Sequence, residues 1–506
     1  MLRPLATLAA ATVLLAGCSG GDDKKSDSTP GDDTNTSSSS PTPTTPELPS
    51  FDPPKGFSIF TAVAEERPAD GSIDPTGGKA GMVGKTTLYA NKTGLNGVWI
   101  DGSQSWQVPA KEIESTKVID YARPTAVQLD GKEAIAMAYV QNVEAGGTQK
   151  AHGQVVFQWI DPADGKVLST VSTDLTSTVG PGTTGGSLTN QEYDPATGQF
   201  AVTLGTKASG NNLNSGFATA YADPATKKGL VIPTVEVAGV LNGTVVGAKG
   251  RSQENAKDLS IVAIDGATGA VKKNIPTPTT NYLSAESSGG KHAYLSGTSY
   301  VQDTKYTHHT DTTLYAVDFA SLAVAETKLP KGEDGIGFGC LSDHVSSLIC
   351  NYVTKAADGT EVKEIMGLDD ATGKKSWGFS SASASRVVPT ITTMYNGYAY
   401  GKAETLPAVL DAKTGQDVPA PAPPPGSTPS TSESPTPAGT TPTDDSGATP
   451  DGNPSPGRPA WGDPSLIFGE PLSPEAVSKY GSTYLLSAAG KAPGSERILV
   501  VQKAIG

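Results

Sequence analysis

The chain has 506 residues, with 58 Gly, 39 Pro and 3 Cys. Its 36% hydrophobic fraction rises to about 47% when Gly is included, the level of an ordinary globular protein, so disorder throughout is excluded. The 52 acids against 38 bases leave a net charge of −14, which removes the attraction that nucleic acid or an anionic lipid surface would require.

At the amino terminus one positive charge, Arg3, precedes an apolar stretch from Leu5 to Gly17 of signal-peptide length. It is too short to cross a bilayer as a helix. The stretch ends in Leu15-Ala16-Gly17-Cys18, which resembles the bacterial lipobox. That resemblance implies a leader over residues 1–17 that is removed on export. It also implies a diacylglyceryl group on Cys18, with acyl chains such as palmitate, and a place on the extracytoplasmic face of the cell membrane. Two or three acyl chains anchor a protein stably where one holds it only marginally. Loss of the leader deletes Arg3 and no acid, so 37 bases and 52 acids leave −15 on the mature chain.

Residues 18–50 are rich in Ser, Thr, Pro and Asp and bury no apolar area, which predicts a flexible tether reaching roughly 30 Å. A second segment of this kind, residues 419–460, is read as a disordered insertion, because strand-like sequence resumes at Ser465–Phe468, Thr483–Leu486 and Ile498–Val501. The folded part is therefore expected to comprise residues 51–418 and 461–506.

Within it the pattern is short runs of Val, Thr, Tyr and Ala bounded by Gly, Asp, Asn and Pro, with almost no helical period, which predicts an all-β chain. A box close to Asp-x-x-Thr-Gly recurs. It runs Asp161 to Gly165, Asp194 to Gly198, Asp223 to Lys227, Asp265 to Gly269, Asp318 to Leu322, Asp369 to Gly373 and Asp411 to Gly415. The chemistry is that of a hairpin turn, in which the Asp carboxylate accepts backbone N–H groups and Gly takes the left-handed position before a bulge. Val98 to Trp106, with Asp101, fits the same outline with a tighter turn. With the copy at Asp194 set aside as an inner-hairpin turn, the spacings from Asp101 are 60, 62, 42, 53, 51 and 42. Their mean, about 52, is the length of a four-stranded propeller blade with its loops.

The stretch Leu368 to Trp377, Asp-x-x-Thr-Gly followed by Trp, resembles the repeat of the quinoprotein (PQQ-like) β-propellers. The resemblance implies a propeller of seven or eight four-stranded blades over residues 57–416 and 461–506. The last 46 residues are expected to complete the ring, with Phe57 to Phe60 as partner strand. In that family a Trp stands in each blade. Here only the copy at Asp369 has it in place, whereas Asp265 is followed there by Val271-Lys272-Lys273 and Asp161 by Val167-Leu168-Ser169. The resemblance also raises PQQ with Ca²⁺ as cofactor, but the adjacent Cys-Cys pair of those dehydrogenases is missing.

Cys340 and Cys350 remain once Cys18 is assigned, and outside the cytoplasm an even remainder predicts a disulfide, across a hairpin if Asp343–Ser347 form its turn. Gly78 to Thr86 imitates a phosphate-binding loop, but Lys79 replaces a required Gly and Thr87–Ala90 reads as a strand where a helix must follow. The five His (His152, His292, His308, His309, His344) form no metal-ligand spacing and are read as solvated surface. The sequons at Asn91 and Asn242 carry little weight beside a bacterial lipobox. No catalytic, cofactor or metal residue is assigned. The reading is a lipid-anchored extracytoplasmic propeller that binds an envelope protein or wall ligand, without catalysis and without nucleic acid. The alternative is a propeller enzyme, either a PQQ-dependent dehydrogenase or a lyase or hydrolase with its site in the central funnel.

Overall fold

Every Asp-x-x-Thr-Gly turn joins two antiparallel strands, and the sheets they belong to follow one another around a common axis. A computed structural model describes residues 47–421 and 473–506, apart from 59–61, 67–77, 111–115, 149, 177–179, 181, 208–215, 251–258, 278–279, 303–307, 330–331, 356–357, 384, 405 and 488–496. Cys18, the leader, nearly all of the tether and most of the Pro-rich insertion, with Ser465–Phe468 beyond it, lie outside the described residues.

Eight blades result. Blade 1 is Lys79–Val83, Thr86–Ala90, Gly94–Trp99 and Ser105–Pro109. In blade 2 the innermost place is shared by Thr116–Tyr121 and Thr125–Leu129, both paired with Lys132–Val143, and His152–Ile160 and Val167–Asp174 complete it. Blade 3 is Thr184–Tyr193, Phe200–Lys207, Gly216–Asp223 and Lys228–Pro233; blade 4 is Val235–Leu241, Thr244–Lys249, Ser260–Asp265 and Val271–Pro276. Blade 5 is Tyr282–Ser288, His292–Gln302, His308–Asp318 and Val324–Lys328; blade 6 is Gly332–Ser342, Ser347–Lys355, Glu361–Asp369 and Lys374–Ser380. Blade 7 has Thr390–Tyr395, Tyr398–Ala403 and Leu406–Asp411, with a single bridge from Leu410 to Asp417 where a fourth strand would run. Pro419 and Pro421, which lack an N–H, end that pairing after Val418.

Blade 8 closes the ring with both ends of the chain. Ala476–Ser478, Gly481–Ser487 and Arg497–Ile505 form its inner three strands, and Gly56–Phe57 and Ala62–Glu66 pair antiparallel with the last of them. The first strand of the folded part thus becomes the outer edge of the last blade, which leaves no open seam in the ring. The sequence left seven or eight blades open; six blades with a box after the third strand, blade 1 with its tighter turn at Asp101, and this unboxed closing blade make eight.

The boxes stand where expected. In blades 2 to 6 they link the third strand to the fourth, in blade 7 the box leads from the third strand to the bridge at Asp417, and Asp194 lies in the hairpin between the first two strands of blade 3. Asp161 Oδ1 accepts the Ala163 N–H at 2.8 Å, and Asp265, Asp318 and Asp411 do the same for residues two and three ahead. The fifth residue is left-handed in every copy, with φ of 67–77° at the five Gly and 55° and 56° at Lys227 and Leu322, which accept a conformation disfavoured for side chains. The loop-like Gly78 to Thr86 is a hairpin turning at Gly84. Asn91 is buried and turns the chain by accepting the N–H groups of Thr93 and Gly94.

Because blades pack face to face, their middle strands are covered on both sides and read as continuous apolar runs; Ala134 to Val140 are fully buried. The core is accordingly divided. Seven apolar clusters each span two adjacent blades. Between blades 7 and 8, Tyr400 packs its ring on Phe57 at 5.6 Å and donates to Pro54 O at 2.8 Å.

Candidate functional site

At each of four seams the outer strand of one blade donates a hydrogen bond to the box of the next. Trp377 Nε1 donates to Ala412 O at 2.8 Å, and Trp106 Nε1 to Pro162 O at 3.2 Å. Ser169 Oγ donates to Pro224 O at 3.4 Å and Lys273 Nζ to Leu322 O at 2.7 Å. Ser169 and Lys273 stand where the resemblance to quinoprotein propellers implies Trp, so the ring is lost there and the donor is kept. Trp106 is a second docked Trp that a count of boxes with a full Thr-Gly misses, although it follows Gly102 by the same four residues that separate Trp377 from Gly373.

The reason for the substitutions lies across the seam. A Cβ on Gly165 would come within 2.7 Å of the Trp106 ring, and one on Gly415 within 2.5 Å of Trp377. Both of these indoles dock over a box that offers a bare glycine. Ser169 faces the box whose fifth residue is Lys227, and Lys273 the one ending in Leu322, so in both the glycine is replaced by a residue with a side chain. Between blades 5 and 6 a polar lock takes over. Buried Asp370 accepts Lys291 N–H at 2.8 Å, His292 N–H at 3.2 Å and the Tyr294 hydroxyl at 3.0 Å, while His292 Nδ1 lies 2.7 Å from Asp370 O. Hydrogen bonding to Asp370 raises the His292 imidazole above its ordinary value against the opposing effect of burial, and Asp318, 3.8 Å from Nε2, acts in the same direction.

The disulfide forms as expected. Cys340 and Cys350 are register partners in the first two strands of blade 6, with Cα atoms 4.0 Å apart. Asp343 makes the turn by accepting the N–H groups of Val345, Ser346 and Ser347.

His344, on that turn, is not solvated surface. Its side chain is only 11% exposed, with its ring 4.0 Å from that of Tyr193 in blade 3. Its Nδ1 lies 3.6 Å from Glu192 Oε2 and 3.5 Å from Ser288 Oγ, and Ser288 Oγ donates to Glu192 Oε2 at 2.6 Å. Blades 3, 5 and 6 therefore meet at this end of the axis through one acid, one hydroxyl and one imidazole. Burial drives His344 down to about 4, with Asp343 opposing, and holds Glu192 well above the carboxylate range. The trio resembles a nucleophile relay in composition only. A relay needs acid and hydroxyl on opposite ring nitrogens, and here the same Nδ1 faces both. The cluster joins blades. His292 is likewise buried, His152 is half-exposed, and the side chains of His308 and His309 lie outside the described residues. Nothing in the sequence near Glu192 or Ser288 signals the cluster, because its members come from three blades.

A PQQ molecule on this part of the axis would need space and cationic or metal partners for its carboxylates. The position is taken by Tyr193, Glu192, Ser288 and His344, with Ser288 Oγ bonded to Glu192, and among the described residues no three His, Cys, Asp or Glu are grouped to hold a metal. These residues do not fit the cofactor.

The fold and seams define an eight-bladed β-propeller. No family model matches the chain, and no curated protein matches its sequence. Among solved structures it is similar to the β-propeller domain of the Trilobed protease from Pyrococcus furiosus, at 12% identity and TM-score 0.34, covering 58% of this chain and 81% of that one. It is also similar to the dihydro-heme d1 dehydrogenase NirN in complex with DHE, at 12% identity and TM-score 0.35 over 74% of each chain. A third is apo AztD from Citrobacter koseri, at 12% identity and TM-score 0.33 over 67% of this chain and 84% of that one. Likenesses of this degree carry no functional argument.

Proposed function

We propose that the protein is a lipid-anchored, extracytoplasmic β-propeller that binds a protein or ligand of the cell envelope and does not catalyse a reaction. The observation that carries this reading is the Cys340–Cys350 disulfide, a bond that persists in oxidising compartments and is rare where glutathione keeps thiols reduced. It agrees with the export signal and lipobox read at Leu5 to Cys18. The non-catalytic part rests on the axis, where the acid, hydroxyl and imidazole are buried against one another with one ring nitrogen facing both partners.

Three measurements test the proposal. Replacing Cys18→Ala in the full chain is expected to move the protein from membrane to soluble fractions and to abolish lipid labelling; unchanged fractionation overturns the anchor. Crosslinking on whole cells is expected to give a discrete partner-bound species. A bound chromophore and dye reduction after addition of PQQ and Ca²⁺ would overturn the non-catalytic reading.

A further inference from the structure

Eight seams join the eight blades, and among the described residues seven of them hold an apolar cluster. The seam between blades 7 and 8 holds none. Its direct ties are polar: Thr392 Oγ1 donates to Pro474 O at 2.6 Å, and the Tyr395 hydroxyl accepts the Lys479 N–H. On the blade 8 side Leu485 packs into the seam with blade 1, so its strand neighbour Tyr484 points toward blade 7. The Tyr484 hydroxyl is buried there with no partner among the described residues, which costs this seam stability.

A strap formed by residues 48–58 crosses the same seam. Leu48 packs beside Tyr480 and Leu485, and the Phe51 N–H donates to Lys479 O at 2.8 Å. The Asp52 carboxylate then accepts from Asn396 Nδ2 and from the Tyr395 hydroxyl. Pro54 is buried, and its carbonyl accepts the Tyr400 hydroxyl at 2.8 Å. Phe57 lays its ring 5.6 Å from that of Tyr400, while Gly56 and Phe57 pair with Ile505 and Ala504 and the Ser58 N–H donates to Lys503 O at 2.9 Å. One strap thus holds blade 7 through Tyr395, Asn396 and Tyr400, and blade 8 through Lys479, Lys503, Ala504 and Ile505.

We propose that residues 48–58 are a latch, which holds the seam between blades 7 and 8 shut and whose release opens that seam while the other seven stay closed. Local openings of this kind begin where buried apolar contacts are fewest. The latch continues without a break from residues 18–46, so a pull on the amino-terminal side reaches it before it reaches any blade. The proposal goes beyond the binding reading and stands whether or not Cys18 carries lipid.

Hydrogen–deuterium exchange of the detergent-solubilised full chain, read peptide by peptide, tests it. Asp52→Ala with Tyr400→Phe removes the strap's side-chain bonds to blade 7 and leaves the strand pairing of both blades in place. Exchange in Tyr398–Ala403 and Gly481–Ser487 is expected to rise about tenfold, while Phe200–Lys207 and Thr244–Lys249 in blades 3 and 4 keep their wild-type rates. Phe57→Ala, which keeps those bonds and removes the ring from Tyr400, is expected to give the same pattern. Thr392→Val removes a direct bond between the two blades and spares the strap, and is expected to raise exchange by no more than about twofold. Circular dichroism establishes that each variant is folded; if the double variant is not, Tyr400→Phe alone replaces it, with a rise of about threefold. Unchanged exchange in blades 7 and 8, an equal rise in blades 3 and 4, or a rise with Thr392→Val as large as that of the strap variants overturns the proposal. Cys18→Ala is expected to leave exchange at this seam as in the wild type, so failure of the anchor and failure of the latch are read separately.

Discussion

The seam between blades 6 and 7 and the seam between blades 4 and 5 both carry a hydrogen bond from the outer strand to the next box, but at different carbonyls, the second box residue in one and the fifth in the other. In the first, Trp377 donates to Ala412 O, lies over Gly415 and is stacked with Phe379 at 6.0 Å. In the second, exposed Lys273 donates to Leu322 O, and the place of the glycine is held by Leu322 itself at φ 56°. The bond to the next box is the common element, and the apolar payload is optional. Trp and Gly belong together across the seam, although they lie in different repeats and 38 residues apart.

The comparison breaks most sharply at Trp377. Trp377→Ala removes a half-buried ring and its hydrogen bond and is expected to lower stability by about 3 kcal/mol in denaturant unfolding. Gly415→Ala comes next, at about 2 kcal/mol, because the new methyl meets the indole and the residue must keep a left-handed φ. In a Trp377→Ala background its cost should fall to the conformational part, about 1 kcal/mol, and strict additivity in this double-mutant cycle would disprove the coupling.

The polar lock between blades 5 and 6 sharpens the same comparison through pH. His292 has a raised folded-state value, so its charged form stabilises the fold fully below the unfolded value of about 6.5, and this contribution is lost as pH rises through the folded value. The stability gap between the wild type and His292→Gln is therefore expected to be widest near about pH 5.5 and to narrow toward alkaline pH. A gap that widens instead would mean that Asp370 and Asp318 do not hold the proton on His292. The smallest effect belongs to Lys273→Ala, within about 0.5 kcal/mol, since its donor is exposed and water replaces it.

The fold was legible because the turn chemistry repeats. Asp161, Asp223, Asp265, Asp318, Asp369 and Asp411 each mark the same hairpin in successive blades, and the inner position of Asp194 followed from its spacing. Ring closure was legible from strand-like sequence beyond the insertion, since Thr483–Leu486 and Ile498–Val501 fall within strands of blade 8. The seams were legible only in part. Lys273 and Ser169 look like losses within their own repeats, and their meaning appears only beside Leu322 and Lys227 in the next ones. His344 was misread as surface, because the side chains that bury it, Tyr193, Glu192 and Ser288, come from blades 3 and 5 and leave no local pattern.

Mass spectrometry of the amino-terminal peptide of protein purified from membranes tests the central claim most directly. The account predicts a mature chain that begins at Cys18, carries a diacylglyceryl group on its sulfur, and has the 340–350 disulfide intact. A chain that retains residues 1–17 with an unmodified Cys18 would contradict it.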